Sequence, residues 1–158
     1  MGSAAPAEHI GNPAELRIRD VKLRDASAVC RLLGALGYPC EESDAERRIR
    51  RVNASPRQSL VVAELNEQVV GMISLDFMFY LPLGRETCRI TALVVDQHVR
   101  KQNIGRALLR FAEGAARREG ATRIELTTAA QRTDAHRFYT ASGYVQSSLR
   151  FVKNLGEA

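Results

Sequence analysis

The stretch Leu93–Glu119, LVVDQHVRKQNIGRALLRFAEGAARRE, decides the fold. It reads as a buried strand, then a short basic turn holding Asn103 and Gly105, then an amphipathic helix. Ile104, Ala107, Leu108, Phe111, Ala112 and Ala115 follow the i, i+3, i+4, i+7 rule on one face. Arg106, Arg110, Glu113 and Arg117 fall on the other. A strand that delivers free backbone N–H groups to a helix N-terminus makes a seat for phosphate oxygens. The positive end of the helix dipole points at the same spot, and Arg100, Lys101 and Arg106 add full charges. No Gly-Lys-Ser/Thr closes the loop, so it is not a Walker P-loop. It also lacks the three glycines of a dinucleotide fingerprint.

Working outward toward the N-terminus, residues 1–14 are small and polar, with prolines and no periodicity, and read as a flexible leader. Leu16–Val21 alternates with period two and predicts the first strand. Asp25 is placed to cap a helix carrying Val29, Leu32, Leu33 and Leu36, stopped by Gly37. Ser43-x-x-Glu46 reads as a capping box opening a second helix, with Ala45, Ile49 and Val52 inward. Arg47, Arg48, Arg50 and Arg51 follow the acidic group Glu41, Glu42, Asp44 and Glu46. That order suits the helix dipole and reads as a solvated face. Ser59–Leu65 and Val69–Phe79 are strands joined as a hairpin at Asn66-Glu67-Gln68. Leu81-Pro82-Leu83-Gly84 breaks the chain before a strand over Glu86–Val95. Beyond the helix, which ends near Gly120, Thr122–Thr128 reads as a strand. Asp134–Ser142 reads as a helix ended by Gly143, and Tyr144–Val152 as a final strand. The order β-α-α-β-β-β-α-β-α-β predicts a layered α/β fold in a single domain over residues 15–158.

Composition narrows the partners. The chain has 158 residues, enough for a core without disulfides, and 26% of them are charged. A net charge of +5 points to anionic ligands. The basic residues are dispersed and only 6% of residues are aromatic, so no stacking platform for nucleic acid is expected. No apolar run has membrane-spanning length, and no signal peptide or myristoylation pattern opens the chain. Cys30, Cys40 and Cys88 show no C-x-x-C spacing and predict reduced thiols in a cytoplasmic protein, with Cys30 on a core-facing helix face. His9 and His98 have no partner spacing, so no catalytic metal is predicted.

Two motifs resemble those of the GCN5-related N-acetyltransferase (GNAT) family. Gln102-Asn103-Ile104-Gly105-Arg106-Ala107, after Val99-Arg100-Lys101, is similar to the family's acetyl-CoA loop, Arg/Gln-x-x-Gly-x-Gly/Ala. Asn103 stands where glycine is usual. Asparagine is the residue after glycine best able to adopt positive φ, so the turn survives. Arg132-x-x-Ala135-His136-x-Phe138-Tyr139-x-x-x-Gly143-Tyr144 is similar to the second motif, with Arg132 in place of asparagine and Tyr144 in place of phenylalanine. Arg123–Leu155, together with Asn103, most resembles the aminoalkylphosphonate N-acetyltransferase branch. That branch is rich in His and Glu before the loop, whereas this chain offers Asp76, Tyr80, Arg89, Thr91 and Ala92.

The resemblance implies a central mixed, mostly antiparallel sheet with helices on both faces. It implies acetyl-CoA as co-substrate, bound by residues 100–107 and by the backbone of Leu93, Val94 and Val95, with Phe138 contributing. Arg132 either reaches a phosphate or covers the sheet. Tyr139 is implied as general acid to the CoA sulfur. A tyrosine suits that task because it stays protonated at neutral pH while a thiolate departs; read without the family, Phe138-Tyr139 is a core pair. The general base stays open among Asp76, Glu86 and Asp134. His136 reads as a helix residue making a structural hydrogen bond. The expected activity is acetyl transfer to a primary amine of a small molecule, aminophosphonates included. A protein lysine acetyltransferase and a non-catalytic acyl-CoA-binding regulatory module are the alternatives. Homodimer formation through the sheet or last strand is a further implication.

Overall fold

In the computed structural model, residues 15–128 and 132–157 are described. The expected leader over 1–14 lies outside them. The chain divides into two compact units, one running through Leu126 and one beginning at Thr127. The first holds β1 (Leu16–Asp20), α1 (Ala26–Leu36), α2 (Glu42–Ala54), β2 (Gln58–Leu65), β3 (Gln68–Tyr80), β4 (Arg85–Val95), α3 (Ile104–Arg118) and β5 (Ala121–Leu126). The strands form one sheet in the order β1-β2-β3-β4-β5. The first three pairings are antiparallel, while β4 and β5 run parallel. A parallel pair needs a long crossover, and α3 supplies it.

Period-two alternation sends residues of each strand to opposite faces. Leu60, Val62, Met72 and Val94 face one way and form a core with Val29 and Leu32 of α1 and Ala45 and Ile49 of α2. The other face takes α3. There Gly71 lies beneath Leu108, where an added Cβ would come within 3.3 Å of its Cδ1. Ile104, Leu108, Leu109, Ala112 and Ala116 are buried while the predicted Ala107, Phe111 and Ala115 are half-buried, so the apolar stripe is turned toward Leu109 and Ala116. Burying Ile104, Leu108 and Leu109 contributes about 1.5–3 kcal/mol each. The helices thus cover both faces of a mixed, mostly antiparallel sheet.

Several local expectations hold, others change. Asn66 and Glu67 form a two-residue hairpin turn with φ of 50° and 66°, the mirror-type geometry that matches strand twist. Gly37 ends α1 in the left-handed region at φ 103°. Asp25 precedes α1, but its carboxylate caps the preceding 3-10 turn by accepting from Lys22 N–H at 2.7 Å, and it takes two guanidinium bonds from Arg19 at 2.8 and 3.0 Å. Burial works to raise its pKa, and these donors overcome that and hold it below the ordinary carboxylate range. The capping box at Ser43 and Glu46 does not form. The Glu41 carbonyl accepts from Asp44 and Ala45 N–H instead, so α2 starts earlier and Ser43 lies within it.

The second unit contains α4 (Thr133–Ala141), followed by Gly143 at φ 91°. The strand expected over Tyr144–Val152 is not formed, and no strand occurs among the described residues after Ala141. Alternating apolar residues make a strand only where a hydrogen-bonded neighbour exists. Here Leu149, Phe151 and Leu155 are 80%, 90% and 92% exposed. The element order is therefore β-α-α-β-β-β-α-β-α.

Candidate active site

The site begins with an irregularity in β4. Ser74 of β3 pairs with Ala92 and Leu75 with Ile90, so Thr91 is an extra residue bulging from β4. The Thr91 hydroxyl lies 2.8 Å from the Ser74 hydroxyl. Pairing of β4 with β5 ends at the same level, at Ile90 opposite Leu126. Beyond it, Ala92–Val95 remain paired with β3, with no strand on their other edge among the described residues. Such an edge offers backbone N–H and C=O groups to an extended ligand. Leu93 and Val95 are half-buried and Val94 is buried.

The chain leaves β4 through Asp96, which is held in place twice. Its N–H donates to Val70 O at 2.8 Å, and its carboxylate forms an ion pair with Arg31 of α1. Arg31 also donates to Val69 O at 2.9 Å. Sequence patterning gave no sign of this anchor, whose partners lie 65 residues apart. A 3-10 turn over Gln97–Gln102 follows, carrying Arg100, whose Nε reaches Val95 O at 3.4 Å. The side chain of Lys101 lies outside the described residues.

Asn103 then takes φ 60°, ψ 22°, the left-handed conformation its side chain tolerates. Its carbonyl accepts from Ala107 N–H at 3.0 Å, closing the first turn of α3. Among the described residues no side chain caps this terminus. The first-turn N–H groups of Ile104, Gly105 and Arg106 have no carbonyl behind them within the helix. Arg100, Gln102, Asn103 and Arg106 are exposed around them, whereas Ile104 is buried as the first core residue of α3. Free N–H groups, a positive dipole end and guanidinium groups together can bind a pyrophosphate.

Arg132, Phe138 and Tyr139 belong to the second unit. Arg132 precedes α4 and is exposed. Tyr139 is half-buried between Phe138 and Tyr144, edge-on to both, with ring centroids 5.3 and 5.8 Å away. Burial raises its pKa, with the charge of Arg132 opposing, so the phenol is protonated at neutral pH. The aromatic trio is a sufficient packing role for Tyr139, and a protonated phenol is also a proton donor.

The groups left open as bases differ in surroundings. Glu86 is engaged in an ion pair with Arg57. Asp134 is an exposed first-turn residue of α4. Asp76 is half-buried on the face that also carries Ser74. Beside it, Cys88 is fully buried, and burial with the Asp76 charge pushes its thiol up to about 11, which leaves no reactive thiolate at neutral pH. Among the described residues no group of three or more His, Cys, Asp or Glu is assembled to hold a metal ion. No helix among them is long and apolar enough to cross a membrane.

The match to known proteins follows this geometry. The family model of the acetyltransferase (GNAT) family covers residues 26–144, from α1 through α4. The chain belongs to the GNAT family. An aminoalkylphosphonate N-acetyltransferase from Salmonella typhimurium is 49% identical over 90 residues, 57% of this chain and 58% of that protein. The chain spans about half the length of the curated relatives it matches. The crystal structure of a transcriptional regulator from Bacillus halodurans superposes with a TM-score of 0.82 at 27% identity, covering 89% of this chain and all of that one. An aminoglycoside N-acetyltransferase in complex with CoA superposes equally well, at 0.82, over 93% of this chain and 99% of that one. At 10% identity that likeness establishes the GNAT fold alone.

Proposed function

We propose that this GNAT protein is an acetyl-CoA-dependent N-acetyltransferase acting on a primary amine of a small molecule, with aminoalkylphosphonates in the substrate class. The carrying observation is the uncapped N-terminus of α3 behind left-handed Asn103, directly downstream of a β4 edge freed by the Thr91 bulge. The N–H groups of Ile104, Gly105 and Arg106, behind the Asn103 turn that the Ala107 N–H closes, bind the pyrophosphate together with Arg100, Lys101, Gln102 and the Arg106 side chain. The Leu93–Val95 backbone pairs with the pantetheine arm and donates to the thioester carbonyl, where negative charge develops in the transition state. The neutral amine attacks that carbonyl carbon, the C–S bond breaks, and the sulfur takes a proton from Tyr139. The nitrogen loses its extra proton to a base or to water. Phe138 packs beside Tyr139, and Arg132 adds positive charge for a phosphate. The 49% identity to an aminoalkylphosphonate N-acetyltransferase supports the substrate class. The three free cysteines suit a reducing cytoplasm. Pairing of two copies through the segment after Tyr144 would cover Leu149, Phe151 and Leu155.

The test is thiol release from acetyl-CoA against aminoalkylphosphonates, polyamines, aminoglycosides, amino acids and a lysine peptide, with and without divalent metal. Release with the small amines is expected. Release with the peptide alone would replace the substrate class. Silence across the panel with acetyl-CoA bound in calorimetry would make the chain an acyl-CoA-binding module. The hydroxyls of Ser74 and Thr91 at the bulge, where a carboxylate could have stood, favour that second reading.

A further inference from the structure

A cavity of about 480 Å³ opens where α2 ends, β2 begins and β3 passes, lined by Arg51, Ala54, Ser55, Arg57, Gln58 and Asp76. All six lie in the first unit. Asp76 is half-buried, between Gln58 on β2 and Arg89 on β4, and among the described residues no hydrogen bond or ion pair engages its carboxylate. A partly desolvated carboxylate without a partner favours a cation beside it.

Two arginines belong to the lining. Arg57 is fixed by its Nε bond to Phe77 O at 2.9 Å, by its N–H to Ser55 Oγ at 3.2 Å and by its ion pair with Glu86. That leaves part of its donor fork unused. Arg51, in the last turn of α2, is exposed and has no ion pair among the described residues. It is one of four arginines whose pattern reads as a solvated face, and the one that lines this cavity. The lining of this open depression therefore includes an anchored arginine, an arginine without an ion pair among the described residues, and a carboxylate.

The complement of that wall is a short molecule with a cationic amine at one end and a tetrahedral dianion at the other. A dianion matches two guanidinium groups better than a carboxylate does, in charge and in the number of acceptor oxygens. The position also fits. Asp76 and Ser74 are alternate residues of β3 on one face, about 7 Å apart along the strand, and Ser74 meets Thr91 at the bulge where the β4 edge is freed. We propose that this cavity is the acceptor's seat: Asp76 takes the ammonium of an amino-phosphonate or amino-phosphate, and Arg51 and Arg57 take its dianion. The inference rests on the acetyltransferase reading and adds to it the residues that select the acceptor.

The test compares kcat/KM for 2-aminoethylphosphonate, phosphoethanolamine, β-alanine and propylamine, with direct calorimetric titration of each into the full chain. The two dianionic amines are expected at least about 30-fold ahead of propylamine, with β-alanine between, and the first two separate phosphonate from phosphate. R51Q should cut the ratio of 2-aminoethylphosphonate to propylamine about tenfold, mainly through KM, as expected for one lost charged contact. D76N should lower kcat/KM for every amine in the set. Equal use of propylamine and the dianions, or an R51Q ratio equal to that of the parent, overturns the seat while leaving the acetyltransferase standing. If acetyl-CoA fails to bind, the enzyme reading falls; the titrations still decide the cavity, since binding of the dianions weakened by R51Q supports it and no binding overturns it.

Discussion

Asn103 offers the sharpest perturbation of the proposed cofactor seat. At φ 60° and ψ 22° it sits in the left-handed region, its carbonyl closes the first turn of α3, and its side chain is exposed and caps nothing. Its contribution is therefore conformational. An ordinary L-residue pays about 1–2 kcal/mol in this conformation, and asparagine pays less. Alanine loses about 1 kcal/mol relative to asparagine, and valine, with its branched Cβ, moves toward 2. If the loop relaxes in the free protein and is driven back on binding, those costs appear in Kd at 1.4 kcal/mol per tenfold. Asn103→Ala then weakens acetyl-CoA binding about fivefold and Asn103→Val about 20–30-fold. Asn103→Gly, which adopts the turn freely, stays within about twofold. Calorimetric titration with acetyl-CoA reads the series, and a thermal melt checks that no variant unfolds. A valine variant that melts normally and binds with the parent Kd would refute the claim that this left-handed turn presents the N–H groups of α3.

Other expectations follow from single contacts. Asp25→Asn breaks a buried pair with Arg19 and should cost about 3 kcal/mol, a fall in Tm of about 6–12 °C for a chain of this size. Because the folded pKa of Asp25 is depressed, its stabilisation is complete above the unfolded carboxylate value near 3.9 and is lost as pH falls through the lower folded value. The Tm gap between parent and variant should therefore hold from neutrality to about pH 4 and close below it. Tyr139→Phe keeps the aromatic trio and removes the proton donor; kcat should fall at least about tenfold, and unchanged turnover across pH 6–9 would end the general-acid role. Gly71→Ala puts a methyl 3.2 Å from Val94 O and 3.3 Å from Leu108 Cδ1. Overpacking there should destabilise by about 1 kcal/mol in urea melts and weaken acetyl-CoA binding through the shifted Val94 carbonyl. Replacing Leu149 and Phe151 with serine should convert any dimer to monomer in light scattering, and a dimer that persists would place the interface elsewhere.

How much was legible in the sequence depended on the range of the interaction. The α3 helix and its turn were, because a 3.6-residue stripe from Ile104 to Ala115 and the one asparagine at its head are local signals. The Asn66-Glu67 hairpin was legible for the same reason. The Ser43 box failed because another carbonyl, that of Glu41, was available to begin α2 two residues sooner. The last strand failed because alternation over Tyr144–Val152 is a local signal, whereas a strand also needs a hydrogen-bonded ladder with a second strand, and none forms there among the described residues. The Thr91 bulge and the Arg31–Asp96 anchor left no trace, since each depends on a partner strand or helix that the local pattern does not encode.

The same contrast separates the two halves of the proposed site. A phosphate seat built on a helix N-terminus uses backbone groups from a few consecutive residues, so any sequence that makes the turn makes the seat. Asparagine adopts the left-handed turn more readily than other residues after glycine, so the turn forms with Asn103 where glycine is usual. An acceptor seat is made of side chains, and here Arg51, Arg57 and Asp76 come from a helix end, a strand entry and a strand centre. In the sequence Arg51 reads as part of a solvated face, Asp76 as a candidate base by residue type only, and Arg57 carries no signal. Only the register that sets Asp76 beside Gln58, and the turn that carries Arg57 back over Phe77, brings opposite charges to one wall. Substitutions at that wall can therefore change the acceptor while the cofactor loop stays recognisable, which makes R51Q and D76N more informative about substrate than any change between Gln102 and Ala107.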